Sequence, residues 1–193
     1  MAAGGQEGSQ ETRDEQLRAL LAARVRDVPD YPKPGILFKD ITPLLADHRT
    51  FAAAIDAIAG LYGPGSVDKV VGIEARGFIL AAPVAYRAGA GLVPVRKEGK
   101  LPSETYRATY ELEYGSATLE VHRDAFAPGD RVLIVDDVLA TGGTVEATID
   151  LVERAGGSVI SVCVLLELGF LSGRQRLAGR DLHALLTVLE HRV

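Results

Sequence analysis

Residues 132–144 read "VLIVDDVLATGGT": an apolar run, two adjacent acids, then a loop of small residues without a lysine. A short apolar run bounded this way reads as a buried strand. The segment that follows, "TVEATIDLVERAGG", places Val145, Ile149 and Val152 on one face of a helix that stops at Gly156 and Gly157. The same alternation recurs on both sides. Strands are expected near "KVVGI", "GLVPV", "RVLIV", "SVISVCVLL" and "LHALLTVL", with a further helix near "FILAAPVAYRAG". Apolar runs alternating with helices predict an α/β fold with a mostly parallel central sheet flanked by helices. One segment departs from it. "ATYELEYGSATLEVH" alternates with period two around Tyr-Gly-Ser and reads as an antiparallel hairpin, either an interface element or a cover over a site.

In an open sheet, ligands bind beyond the carboxyl ends of the strands, which is where the acids and the glycine loop fall. The loop from Ala140 to Thr144 opens a helix. Gly142 and Gly143 let the backbone approach a ligand closely, Thr141 and Thr144 add hydroxyls, and the helix start adds unpaired N–H groups. That suits a phosphate. The P-loop spacing and its lysine are absent, and "GAGLVP" precedes a strand rather than following one, so neither nucleotide motif applies. Asp136 and Asp137 suit vicinal hydroxyls and a hydrated Mg²⁺. Neighbouring side chains in a strand face opposite ways, so both acids serve one ligand only if the strand ends at residue 136. A sugar phosphate offers hydroxyls beside a phosphate and satisfies both features. Two more strand ends carry basic groups: "EARGF" offers Arg76, and "RKEGK" offers Arg96, Lys97 and Lys100. Converging at one sheet edge, they would supply enough positive charge for a pyrophosphate.

Composition bounds the rest. The 193 residues are 47% hydrophobic and 24% charged, which predicts one globular domain over residues 15–193. Residues 1–14 are polar and aperiodic, and a mobile tail is expected there. "EQLRALLAARVRDV" places Leu17, Leu20, Leu21 and Val25 at helical spacing, with Arg24 intruding, and stops before "VPDYPKPG". A formal net charge of −5 argues against a nucleic-acid or anionic-membrane partner. Cys163, the single cysteine, sits in an apolar run and reads as a small buried hydrophobe. The opening residues lack a basic start and an apolar stretch, and no apolar run is long enough to cross a bilayer, so a cytoplasmic protein is expected. His48, His122, His183 and His191 form no H-E-x-x-H pattern, and no G-x-S-x-G elbow occurs.

The stretch 132–144 resembles the phosphoribosyl pyrophosphate (PRPP) motif of type I phosphoribosyltransferases. "DYPKPGILFKDITPLL", "GIEARGFILAAPVA" and "VPVRKEGKLPSETYRATYELEYG" narrow the resemblance to the adenine phosphoribosyltransferases, over about residues 28–170. It implies the fold of that family, with a small N-terminal hood at about residues 28–45 and a flexible hairpin flap. It also implies purine salvage: adenine and PRPP give AMP and pyrophosphate, with Mg²⁺ held mainly by PRPP and water. Asp136 and Asp137 would bind the ribose hydroxyls, and Ala140 to Thr144 its 5′-phosphate. Arg76, Arg96, Lys97 and Lys100 would bind pyrophosphate, one lysine reaching across a homodimer. Phe38 would stack on the purine while the backbone of Leu37 and Lys39 reads its edge; Lys39 stands where many relatives have arginine. Alternation leaves Glu111 and Glu113 as candidates on one face of the hairpin, and the resemblance selects Glu113, with Tyr114, as the acid over the site. The alternatives are a phosphoribosyltransferase for hypoxanthine, guanine, xanthine or orotate, or a non-catalytic PRPP-sensing regulator, for which neither a helix-turn-helix nor a basic stripe is found.

Overall fold

The computed structural model describes residues 4–111 and 116–189. The described residues up to Ala54 form one compact unit and Ile55–Leu189 the other. The boundary falls inside a helix, so no linker composition marks it, and a single domain from residue 15 is what the sequence leads one to expect.

In the first unit, helix α1 (Gly4–Ala22) begins well before residue 15. The polar segment expected to be a mobile tail is therefore helical from Gly4; glutamate, glutamine and arginine are good helix formers without needing burial. Leu21 is fully buried and Leu17 and Leu20 partly so. The helix stops at Ala22, which leaves Arg24 off its apolar stripe and 3.5 Å from Asp47. Strands β1 (Arg26–Val28) and β2 (Phe38–Asp40) flank the proline cluster and pair antiparallel, Val28 opposite Phe38. Asp40 accepts hydrogen bonds from the Thr42 hydroxyl and amide (2.5 and 2.8 Å) and from Arg26, which together hold its pKa down to about 2. That acid fixes the entry to α2 (Thr42–Ala46). Helix α3 (His48–Gly60) follows and buries Ala54, Ile55 and Ile58, one face at helical spacing. Neither α2 nor α3 is among the elements expected from the sequence.

The second unit is built on strands β3 (Lys69–Ile73), β4 (Gly91–Lys97), β5 (Thr105–Glu111), β6 (Ser116–His122), β7 (Arg131–Leu139), β8 (Ser158–Leu168) and β9 (Leu182–Val188). Among the described residues they form one sheet in the order β5-β6-β4-β3-β7-β8-β9. Strands β4, β3, β7, β8 and β9 are mutually parallel, as the alternating pattern predicts. The hairpin is present too: β6 pairs antiparallel with β5 and with β4, so the hairpin extends the sheet at its β4 edge. Helix α4 (Gly77–Ala88) crosses from β3 to β4 and α5 (Gly143–Arg154) from β7 to β8. Val71, Ile73, Val95, Val132, Ile134 and Val164 pack with Val145, Ile149, Leu151 and Val152 of α5 in one core. Each fully buried side chain of this size contributes about 1.5–3 kcal/mol. Val162 to Leu166 of β8 are all buried, the continuous apolar run of a strand covered on both faces. Cys163 lies within it, and burial pushes its thiol up to about 12. No helix among the described residues is long and apolar enough to cross a membrane.

Candidate active site

Strands β4, β3 and β7 are parallel neighbours, so Lys97, Ile73 and Leu139 leave the sheet on the same side. The acids of β7 lie there, but β7 does not end at residue 136. It runs to Leu139, with Asp136 and Asp137 inside it. The pairing explains the difference. β3 accompanies β7 only as far as Gly72 opposite Val135, whereas β8 continues to Glu167 opposite Leu139. From residue 136 the strand has lost one neighbour, and that flank is open to other groups. Each acid is only 7% exposed. Asp136 Oδ1 accepts a hydrogen bond from Asp137 N at 2.9 Å, and a Cβ on Gly77 would stand 2.7 Å from the same oxygen. Burial, then the charge of Asp137, pushes the Asp136 pKa well above the usual carboxylate range. Asp137 Oδ2 accepts from Arg76 Nε. Arg76 immediately precedes α4, in the turn after β3, so the ends of two strands are tied by one ion pair.

The glycine loop completes this corner. Gly142 has φ 83°, a left-handed conformation, and α5 starts at Gly143, with Glu146 N donating to Gly142 O at 2.9 Å. The short helix α6 (Gly173–Arg176) braces the loop from behind. A Cβ on Gly173 would overlap Ala140 O, and one on Gly142 would stand 2.8 Å from Gly173 O. Helix α6 is itself held by Arg174, whose guanidinium grips the buried Glu167 at 2.9 and 2.7 Å and donates to Leu182 O at 3.0 Å. Arg176 Nε donates to Glu146 Oε2 at 2.6 Å, offsetting an acid in the first turn of α5. The Thr144 hydroxyl lies 3.2 Å from that of Tyr110 on β5. Ala140 and Thr144 are half-buried and Thr141 is exposed.

At the third strand end, Arg96 and Lys97 are the last residues of β4 rather than a turn after it. Glu74 Oε2 accepts Arg96 Nε at 3.2 Å and Lys97 N at 3.0 Å, while Arg96 Nη1 donates to Lys100 O at 3.1 Å. Glu120, buried on β6, accepts the amides of Lys100 and Leu101 at 3.0 Å each. Burial works against its charge, yet the amides of Leu101, Lys100 and Gly99 keep its pKa below the ordinary value. Two acids thus shape the end of β4 and the turn after it, which carry Lys97 and Lys100, whose side chains are exposed. Sequence reasoning passes over Glu74, Tyr110, Glu120, Gly173 and Arg176. Only Glu120 leaves a trace, as an acid between two core residues, Leu119 and Val121.

Comparison with known proteins bears on this corner. The phosphoribosyl transferase domain family matches residues 40–181. The adenine phosphoribosyltransferase of Salinispora arenicola is 65% identical over 181 residues, 92% of this chain and 96% of the relative. The chain belongs to the adenine phosphoribosyltransferase family. The Streptomyces coelicolor adenine phosphoribosyltransferase is 61% identical over 176 residues, 89% of this chain and 97% of the relative. Among solved structures, adenine phosphoribosyltransferase from Rhodothermus marinus superposes with TM-score 0.85 at 52% identity, covering 90% of this chain and 99% of the other. The Saccharomyces cerevisiae adenine phosphoribosyltransferase, crystallised with adenine and an imino-altritol bisphosphate, gives 0.84 at 37% identity, covering 89% and 99%.

The remaining residues that the resemblance to adenine phosphoribosyltransferases singles out fall in two places. Leu37, Phe38 and Lys39 belong to the first unit. Phe38 begins β2, its ring 5.1 Å from that of Tyr31 in an edge-on arrangement, and Lys39 Nζ is 2.5 Å from Asp27 Oδ1. Glu113 and Tyr114 lie outside the described residues; Glu111 opposite Ser116 are the last described pair of the hairpin. A magnesium ion suits the acidic pair, since two adjacent buried carboxylates are the oxygen donors a hard cation takes. Among the described residues no group of three His, Cys, Asp or Glu side chains could hold a metal by itself.

Proposed function

We propose that the chain carries out the family's reaction in purine salvage, transferring the 5-phosphoribosyl group of PRPP to N9 of adenine and releasing pyrophosphate, with the corner around β7 as its site. One observation carries this reading: the buried pair Asp136 and Asp137, tied to Arg76 of the neighbouring strand end, stands three residues before the glycine loop. The acids accept hydrogen bonds from the ribose 2′- and 3′-hydroxyls. The amides of Ala140 to Thr144 and the start of α5 take the 5′-phosphate. Arg76, Arg96, Lys97 and Lys100 face the pyrophosphate, with Arg76 also donating its Nε–H to Asp137.

In the reaction the bond from ribose C1 to the pyrophosphate oxygen breaks and its electron pair leaves with pyrophosphate. The basic residues stabilise that developing charge. Bound Mg²⁺, held mainly by PRPP and water near Asp136 and Asp137, would add positive charge to the leaving group. N9 of adenine then bonds to C1 through its lone pair, and the carboxylate of Glu113, facing N7, takes the ring proton that the base gives up. Phe38 stacks on the purine while the backbone of Leu37 and Lys39 reads its edge. Lys39, which stands where many relatives have arginine, has its ammonium occupied by Asp27. We place the protein in the cytoplasm as a homodimer. The test is AMP formation from adenine and PRPP with Mg²⁺, hypoxanthine serving as control. Faster turnover of hypoxanthine would assign a different base, and no turnover of any base, with tight RNA or DNA binding, would point to a regulator.

A further inference from the structure

We infer that Tyr110 is a positioning residue for the 5′-phosphate, acting through the hydroxyl of Thr144; this rests on the function proposed above. Three observations meet at this residue. The Tyr110 and Thr144 hydroxyl oxygens are 3.2 Å apart. The tyrosine ring covers Gly143, where a Cβ would stand 3.3 Å from its Cδ2. And Tyr110 shares the inward face of β5 with Tyr106 and Ala108, all packed on the core, while β6 holds the strand in register with Tyr110 opposite Ala117. The ring is therefore fixed by packing, and its hydroxyl is delivered to one atom of the phosphate loop. The other end is equally fixed, since Thr148 Oγ1 donates to Thr144 O at 2.8 Å within α5.

A threonine hydroxyl has one proton and two lone pairs. Here the Thr144 proton points at the tyrosine oxygen. A phosphate oxygen can only accept, so on binding it takes that proton. The Tyr110 O–H, free to rotate, then turns and donates to Thr144 Oγ1. The result is a chain of two hydroxyls ending on the phosphate, in which the first bond polarises the second and holds the Thr144 rotamer. Tyr110 touches no reacting atom. Its contribution is the same in ground and transition state, because the 5′-phosphate is remote from the ribose C1, and it belongs in KM rather than kcat.

Tyr110→Phe removes the hydroxyl and keeps the ring over Gly143. In it, KM for PRPP in the forward direction and for AMP in the reverse direction should rise about three- to tenfold, the worth of one neutral hydrogen bond. KM for adenine and for pyrophosphate, neither of which carries the 5′-phosphate, should stay within about twofold, as should kcat, with Tm unchanged. In a Thr144→Val background the same substitution should have no further effect. Unchanged constants, a rise shared equally by pyrophosphate, or full additivity with Thr144→Val would overturn the inference. Should the wild type form no AMP, the proposed function fails instead. Calorimetry with ribose 5-phosphate then still decides: a three- to tenfold weaker affinity in Tyr110→Phe upholds the relay, and equal affinity refutes it.

Discussion

Asp136 is subject to opposed demands. The role proposed for it needs a carboxylate that accepts from the ribose, but burial and the neighbouring Asp137 favour the protonated form in the unliganded protein. A group whose folded pKa is raised contributes stability that is present below its unfolded pKa and lost as pH rises through the folded one. Asp136→Asn keeps an oxygen for the Asp137 amide and removes the charge. At pH 7 it should raise Tm by about 2–4 °C for each kcal/mol relieved, with the gain disappearing near pH 3. The same variant should lose at least about tenfold in kcat/KM, as should Asp137→Asn, since a charged hydrogen bond contributes about 1.5–3 kcal/mol. Wild-type kinetics in both would remove the acids from the diol. The place of these acids beside the glycine loop was legible because an apolar strand leads into them and a helix start follows. Glu74 and Glu120 were not: their partners at 3.0 Å are main-chain amides, which every residue carries and no motif announces.

Elements bring their own dependencies. Helix α6 lies about thirty residues beyond the loop it braces, yet Gly173 touches Ala140 so closely that Gly173→Ala must push the loop aside. A displacement of this kind is expected to lower kcat/KM for PRPP by about ten- to a hundredfold, while circular dichroism stays that of the wild type. The mouths of β3 and β7 are joined at the opposite end of the sheet, where Asp68 accepts Arg131 N and Nε at 2.8 Å each. The guanidinium of Arg131 holds Asp68 down to about 2 from an ordinary 3.8. A depressed carboxyl stabilises above its unfolded pKa and stops doing so as pH falls through the folded one. Tm of the wild type should therefore exceed that of Asp68→Asn at neutral pH, with the gap closing between about pH 4 and pH 2. A gap unchanged at pH 2 would show that the charge of Asp68 does not set it. At this scale the parallel strands and α5 follow from periodicity alone, because burial imposes it. The early start of α1 and the true end of β7 escape periodicity: the first is set by propensity, and the last by which neighbour strand stops first.

For the whole molecule, a formal charge of −5 sits uneasily with a ligand as anionic as PRPP, and the resolution is local. The sheet gathers Arg76, Arg96 and the helix start of α5 at neighbouring strand ends. Binding there should stabilise the native state: PRPP with Mg²⁺ at a hundred times its Kd should raise Tm by about 5–10 °C, whereas hypoxanthine alone should not. An unchanged Tm at saturating PRPP would count against the corner as the binding site. Cys163 has a practical consequence of its own. As the sequence's sole thiol, walled into β8 and pushed up to about 12, it forms almost no thiolate at neutral pH. Maleimide dyes should pass it by, so a cysteine engineered at exposed Ser116 would accept a fluorophore at a single address without first deleting the native one.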